Sequence, residues 1–110
     1  KSITISERKS ANLAAWIGNV FSDGSVHIVS ADPTVHPAVR EDMLEDERDL
    51  LRGADALARM ADLVAQPPFA AILDHAEFTG LCAAEDLGRM SEERVRSWMR
   101  ETVGGSWLTD

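Results

Sequence analysis

Few residues in this 110-residue chain have the type and spacing to do chemistry. The three histidines, His27, His36 and His75, stand well apart, and with a single cysteine they match no metal-ligand pattern. Cys82 lies between Leu81 and Ala83 with no basic or histidine neighbour, so it reads as a small buried hydrophobe rather than a nucleophile. Glu45, Asp46, Glu47 and Asp49 form a dense acidic cluster. Such a cluster can bind cations, but this one opens a helical pattern, where carboxylates complement the positive end of the helix dipole. His27 sits in a β-prone run, where it could face an active site but better suits a hydrogen-bonded sheet position. Trp16 and Trp98 fit core positions. Trp107 differs, because it follows Gly104-Gly105, where packing gives little reason for a large aromatic. The phosphate-cradling patterns GxGxxG and GxxxxGK[ST] are absent, as is the GxSxG nucleophile elbow. Residue chemistry alone names no reaction.

Composition narrows the field. Apolar residues make up 45% and charged residues 27%, an ordinary globular balance that excludes fibrous and low-complexity classes. The net charge of −8 argues against nucleic acid and against anionic membrane surfaces as partners. No apolar run approaches the roughly 18–20 residues of a membrane span. One cysteine cannot build a disulfide framework, which leans towards a reducing compartment, the cytoplasm. The chain starts at Lys1 without a signal-peptide pattern and ends on Gly104-Gly105-Ser106-Trp107-Leu108-Thr109-Asp110. Both ends read as cut, so the expectation is a piece of a larger protein.

The elements that would position these residues follow from periodicity. Asn12 to Phe21 is a nearly continuous apolar run, which suits a strand buried on both faces. Ser22-Asp23-Gly24 then reads as a hairpin turn with a left-handed glycine, leading into a second strand over Ser25–Val29. Pro33 and Pro37 make the following segment a structured loop. From Asp46 to Ala65 the apolar positions Leu50, Ala54, Leu57, Ala61 and Val64, with Leu51 and Ala58 widening the stripe, predict an amphipathic helix, with Asp46 as N-cap and Pro67-Pro68 as its stop. A short helical turn is expected from Phe69 to Asp74, and His75 to Met90 reads as loop. Ser91 caps a second helix carrying Val95, Trp98, Met99 and Thr102 or Val103 inward, which Gly104-Gly105 stops. The expected fold is α+β: an antiparallel β-hairpin contributing to a larger sheet, packed by one long and one shorter helix.

The order of these features resembles the C-terminal, substrate-binding part of the glucose–methanol–choline (GMC) oxidoreductases, a flavoenzyme family. Ser22-Asp23-Gly24 is similar to the family's Ser-Arg-Gly turn with its arginine replaced. Ser25-Val26-His27-Ile28-Val29 then runs into Ser30-Ala31-Asp32-Pro33, like the family's Ser-x-Asp-Pro segment, with Pro37 following. Asp42-Met43-Leu44-Glu45-Asp46-Glu47-Arg48-Asp49 resembles its Asn-Tyr-Leu-x-Asp-x-x-Asp stretch. Val95–Gly104 resembles the helix leading into the active-site loop. The resemblance covers roughly residues 12–107.

That resemblance implies that the whole of 1–110 is a segment of a substrate-binding domain in an FAD-dependent alcohol oxidase or dehydrogenase. Such an enzyme transfers hydride from a small alcohol to flavin while a base removes the hydroxyl proton. FAD would be bound mainly by sequence outside this chain, because the flavin-binding glycine motif is absent and the remainder of the flavoenzyme is the implied partner. The family's catalytic histidine falls, without gaps, on Trp107, and no histidine occurs after His75. Trp107, Trp16 and His27 are therefore the expected substrate-facing residues, with no certain catalytic residue and no metal ligand. The alternative is a small acidic α+β accessory subunit, docking through a strand edge or the apolar face of the 46–65 helix.

Overall fold

The computed structural model describes residues 11–103. Elements follow in the order β1 (Ser25–His27), β2 (Ala38–Arg40), α1 (Glu47–Val64), α2 (Pro67–Ala70), β3 (Glu77–Phe78), β4 (Cys82–Ala83), a 3-10 helix (Ala84–Arg89) and α3 (Glu92–Thr102). The class is α+β, with one long and one shorter helix as the main elements. Among the described residues each sheet has two antiparallel strands, β1 with β2 and β3 with β4.

The first strand expected from the apolar run is not there. Residues 13–21 form no strand, and β1 pairs instead with β2, setting Ser25 opposite Arg40, Val26 opposite Val39 and His27 opposite Ala38. The hairpin therefore spans the proline loop, where Asp32 accepts from the Thr34 amide and hydroxyl and Ser30 Oγ accepts from the Asp32 amide. Gly24 is needed for a different reason from the one its turn suggested. A Cβ there would stand 2.3 Å from the Arg40 carbonyl oxygen and 2.9 Å from that of Glu41. It is close approach of β2, not a left-handed conformation, that demands glycine.

α1 follows its sequence pattern closely. Asp46 caps it, accepting from the Arg48 amide at 2.9 Å, and Glu47 and Asp49 occupy the first turn. Leu50 and Leu57 are buried and Ala54, Ala61 and Val64 half-buried, whereas Leu51 and Ala58, expected to widen the stripe, are exposed. The helix ends at Val64, and Pro67 then opens α2 at a position where its missing N–H costs nothing. Leu57→Ala is expected to lower stability by about 2–4 kcal/mol. An unchanged midpoint in denaturant unfolding would mean that this stripe faces solvent.

The segment expected to be loop, 75–90, holds β3, β4 and the 3-10 helix. Its strands have two residues each, too short for any hydrophobic period to register. The turn between them is closed by the Leu81 amide on the Phe78 carbonyl at 2.8 Å. Gly80, at φ +79°, takes the third position, which a type II turn reserves for glycine. Trp98 of α3 seals this hairpin: its indole N–H donates to the Thr79 carbonyl at 3.0 Å, and its ring meets Phe78 edge-on.

α3 is capped by Ser91, which accepts from the Arg94 amide. Met99 is its buried residue; Val95 and Trp98 are half-buried, whereas Thr102 and Val103 are exposed and do not extend the stripe. Met99 closes over Gly53 of α1, where a Cβ would come within 2.4 Å of the methionine methyl. Arg96 ties the two helices further, pairing with Glu47 at 2.5 Å and Glu92 at 2.6 Å. The core is Leu44, Leu50, Leu57, Phe78 and Met99. No helix among the described residues is long and apolar enough to cross a membrane.

Candidate functional site

The polar residues that organise this chain gather at the start of α1. Helical spacing puts Asp49 on the same side as Gly53 and Leu57, four and eight residues on, so its carboxylate points inward with the apolar stripe. It is 0% exposed. Burial pushes its pKa up, but the Ser22 hydroxyl and the Ser22 and Phe21 amides donate to it and hold it below the ordinary 3.8. Oδ2 accepts from Ser22 Oγ at 2.7 Å, the Ser22 amide at 2.8 Å and the Phe21 amide at 2.9 Å; Oδ1 accepts from the Phe21 amide at 3.1 Å. The Ser22 hydroxyl in turn accepts from the Asp46 amide at 3.0 Å. The acidic cluster is thus only partly the solvated helix start that its composition suggested.

Around this clamp the chain is held by cations. The Arg48 guanidinium lies 3.7 Å from the Phe21 ring centroid and grips the Asp46 carboxylate through Nε at 2.9 Å and Nη2 at 2.7 Å. Those bonds pull the Asp46 pKa down to about 2. Arg52 also approaches the Phe21 ring and donates to the Asn19 carbonyl. These contacts explain why 13–21 is not a strand: its end is bound to the side of α1, with the Phe21 amide spent on Asp49 and the Asn19 carbonyl on Arg52.

His27 lies on β1, whereas Trp16 lies in the irregular segment before it. His27 is exposed, opposite Ala38. Trp16 is 70% exposed, a correction to its expected core position, and borders a shallow groove with Ile17, Gly18, Leu51, Arg52, Asp55 and Ala56. The neighbouring Ile17 packs on the core instead. Trp107 and Gly104-Gly105 lie outside the described residues. Cys82 is half-buried in β4 and its thiol pKa is raised by burial, as suits a packed rather than a reactive cysteine. Among the described residues no group of three His, Cys, Asp or Glu is placed to hold a metal.

A model of the GMC oxidoreductase family matches residues 20–107. The chain belongs to the GMC oxidoreductases. The match is to the C-terminal domain of these enzymes, and it begins at the Phe21–Ser22 clamp and takes in every regular element. No curated protein and no solved structure matches the chain. Flavin is the cofactor of the family, yet the described residues do not fit one. Two surface grooves among the described residues are open, and one is lined wholly by polar and charged side chains of α3, Glu92, Glu93, Arg96, Ser97, Arg100 and Glu101. Neither offers an apolar slot for a planar ring system with backbone donors for a pyrophosphate.

Sequence reasoning found the caps and the helix faces of this region but missed the Asp49–Ser22 clamp. The available signal was an aspartate standing on an otherwise apolar stripe, which a buried polar role explains better than a solvated one.

Proposed function

We propose that this chain is part of the substrate-binding domain of an FAD-dependent alcohol oxidase or dehydrogenase. The observation that carries the reading is the family match over residues 20–107. Flavin, bound mainly by sequence outside this chain, accepts hydride from a small alcohol in such enzymes. The part played by this segment is to wall the substrate, with β1 and Trp107 as the contributing pieces.

Surface chemistry supports a missing covering body. Val26 is 66% exposed, Ile28 88% and Val39 54%, so one side of the β1–β2 ribbon is apolar and open. Two-stranded ribbons are marginal alone, and a third strand or a covering layer is the usual remedy. The Cα radius of gyration, 18.5 Å, also exceeds the roughly 13 Å of a compact 100-residue domain. The flavin-binding domain and further strands of a larger sheet, supplied by the rest of the enzyme, would cover this face. The accessory-subunit alternative has less to stand on, since the inner face of α1 is already filled by Phe78 and Met99. The single cysteine of this segment is the feature that supports a reducing, cytoplasmic setting.

The test is to purify the intact flavoenzyme and mix it anaerobically with a panel of primary and secondary alcohols. Bleaching of the flavin's visible absorption by at least one alcohol is expected; an oxidised flavin that no alcohol reduces would overturn the reading. Trp107 follows from the same proposal. Indole is a donor only and cannot take the hydroxyl proton, so Trp107 shapes or stacks on the substrate while another group serves as base. Trp107→Phe should change the relative kcat/KM for bulky against small alcohols by about tenfold. The pH dependence of flavin reduction should stay in place. Unaltered preference across the panel would remove Trp107 from the substrate pocket.

A further inference from the structure

Apolar packing does not hold β1 in place. Val26 and Ile28 are exposed, and neither joins the core. What ties this part of the chain to α1 is the Asp49 carboxylate, which holds Phe21 and Ser22, together with Arg48 and Arg52, which lie against the Phe21 ring. The hydrogen bonds that the Asp49 carboxylate accepts among the described residues come from Phe21 and Ser22, 28 and 27 residues away. The start of α1 does not need it, because Asp46 already caps that helix. Ser22 is used twice: its hydroxyl donates to Asp49 and accepts from the Asp46 amide, so its single proton has one orientation. β1 begins three residues later, and between the two Gly24 is pressed against the Arg40 and Glu41 carbonyls. A shift at Ser22 therefore has little slack in which to dissipate before it reaches the strand.

We propose that Ser22 and Asp49 are positioning residues for the active site: they set where β1, with His27 on it, stands relative to α1. The inference rests on the reading that β1 walls the substrate. Asp49 touches no substrate and acts through the strand. Burial gives it that role, since a carboxylate shielded from water holds its donors more rigidly than an exposed one.

The experiment uses the intact flavoenzyme and the variants Ser22→Ala and Ser22→Thr. Hydrogen exchange is read at the 20–28 backbone in enzyme without substrate, and the limiting rate of flavin reduction and KM are read with the best alcohol. Ser22→Ala should speed exchange at the Phe21 and Ser22 amides about tenfold, by loosening one arm of the clamp. In the folded, flavin-loaded fraction kcat/KM should fall about tenfold, within the 10²-fold that a displacement of about 1 Å produces. Ser22→Thr keeps the hydroxyl and should restore both readouts towards the parent. Unchanged exchange in Ser22→Ala would overturn the clamp. Faster exchange with unaltered kinetics would make it a structural brace and overturn the positioning role. A parent enzyme whose flavin no alcohol reduces would instead remove the reading on which the inference rests, and the exchange result would still report the clamp separately.

Discussion

Replacing Leu50 by alanine is expected to cost about 3–5 kcal/mol of stability, the upper part of the range for buried leucines. Leu50 is 1% exposed, and it lies in the core with Leu44, Leu57, Phe78 and Met99. With so few fully buried residues, the neighbours cannot close the gap by sharing small movements among many side chains. Leu44 is held in a left-handed backbone conformation, φ +59°, which limits its freedom to follow. Met99, with its flexible thioether, is the one neighbour able to swing partly into the space. Denaturant unfolding of the intact enzyme, followed through the loss of tertiary signal, measures the effect. A drop below about 1 kcal/mol would show that the site collapses freely or is not packed as described.

Loss of the Asp49 carboxylate should be more disruptive than loss of the Ser22 hydroxyl. Asp49→Ala strands three buried or half-buried donors, the Phe21 and Ser22 amides and Ser22 Oγ, and each then carries a desolvation cost with nothing returned. The same group predicts how stability depends on pH. Its folded-state pKa lies below 3.8, so its contribution is fully present above that value and is lost as pH falls through the folded-state pKa. Asp46, at about 2, behaves in the same sense, and the two together should produce an acid limb running down from about pH 4. Asp49→Asn should flatten that limb by up to about one proton while leaving the part due to Asp46. Its amide would turn an N–H towards donors, so the variant should also be weaker at neutral pH. An acid limb of unaltered slope in Asp49→Asn would show that this carboxylate is not the titrating group.

By itself the sequence determined whatever is local. The 3.6-residue spacing of Leu50, Ala54, Leu57 and Ala61 carries α1, and Asp46 and Ser91 mark the two main helix starts, because caps and periodic faces are written in neighbouring residues. The α+β class and the family resemblance, through Ser22-Asp23-Gly24, Asp32-Pro33 and Asp49, were legible in the same way. Tertiary structure decided the pairings. The 13–21 run is as apolar as a buried strand, yet its last amide, that of Phe21, and the following Ser22 amide bond to Asp49 and its Asn19 carbonyl to Arg52, while β1 takes Ala38–Arg40 as partner. Trp16 lies exposed there while the neighbouring Ile17 packs on the core. Two-residue strands such as β3 and β4 have no period of their own, and Trp98 and the Gly80 turn define them. A carboxylate that stabilises a helix dipole and one that holds a distant loop look alike in sequence. Which of the two Asp49 becomes depends on donors 27 and 28 residues away, and only the folded chain brings them within hydrogen-bonding distance.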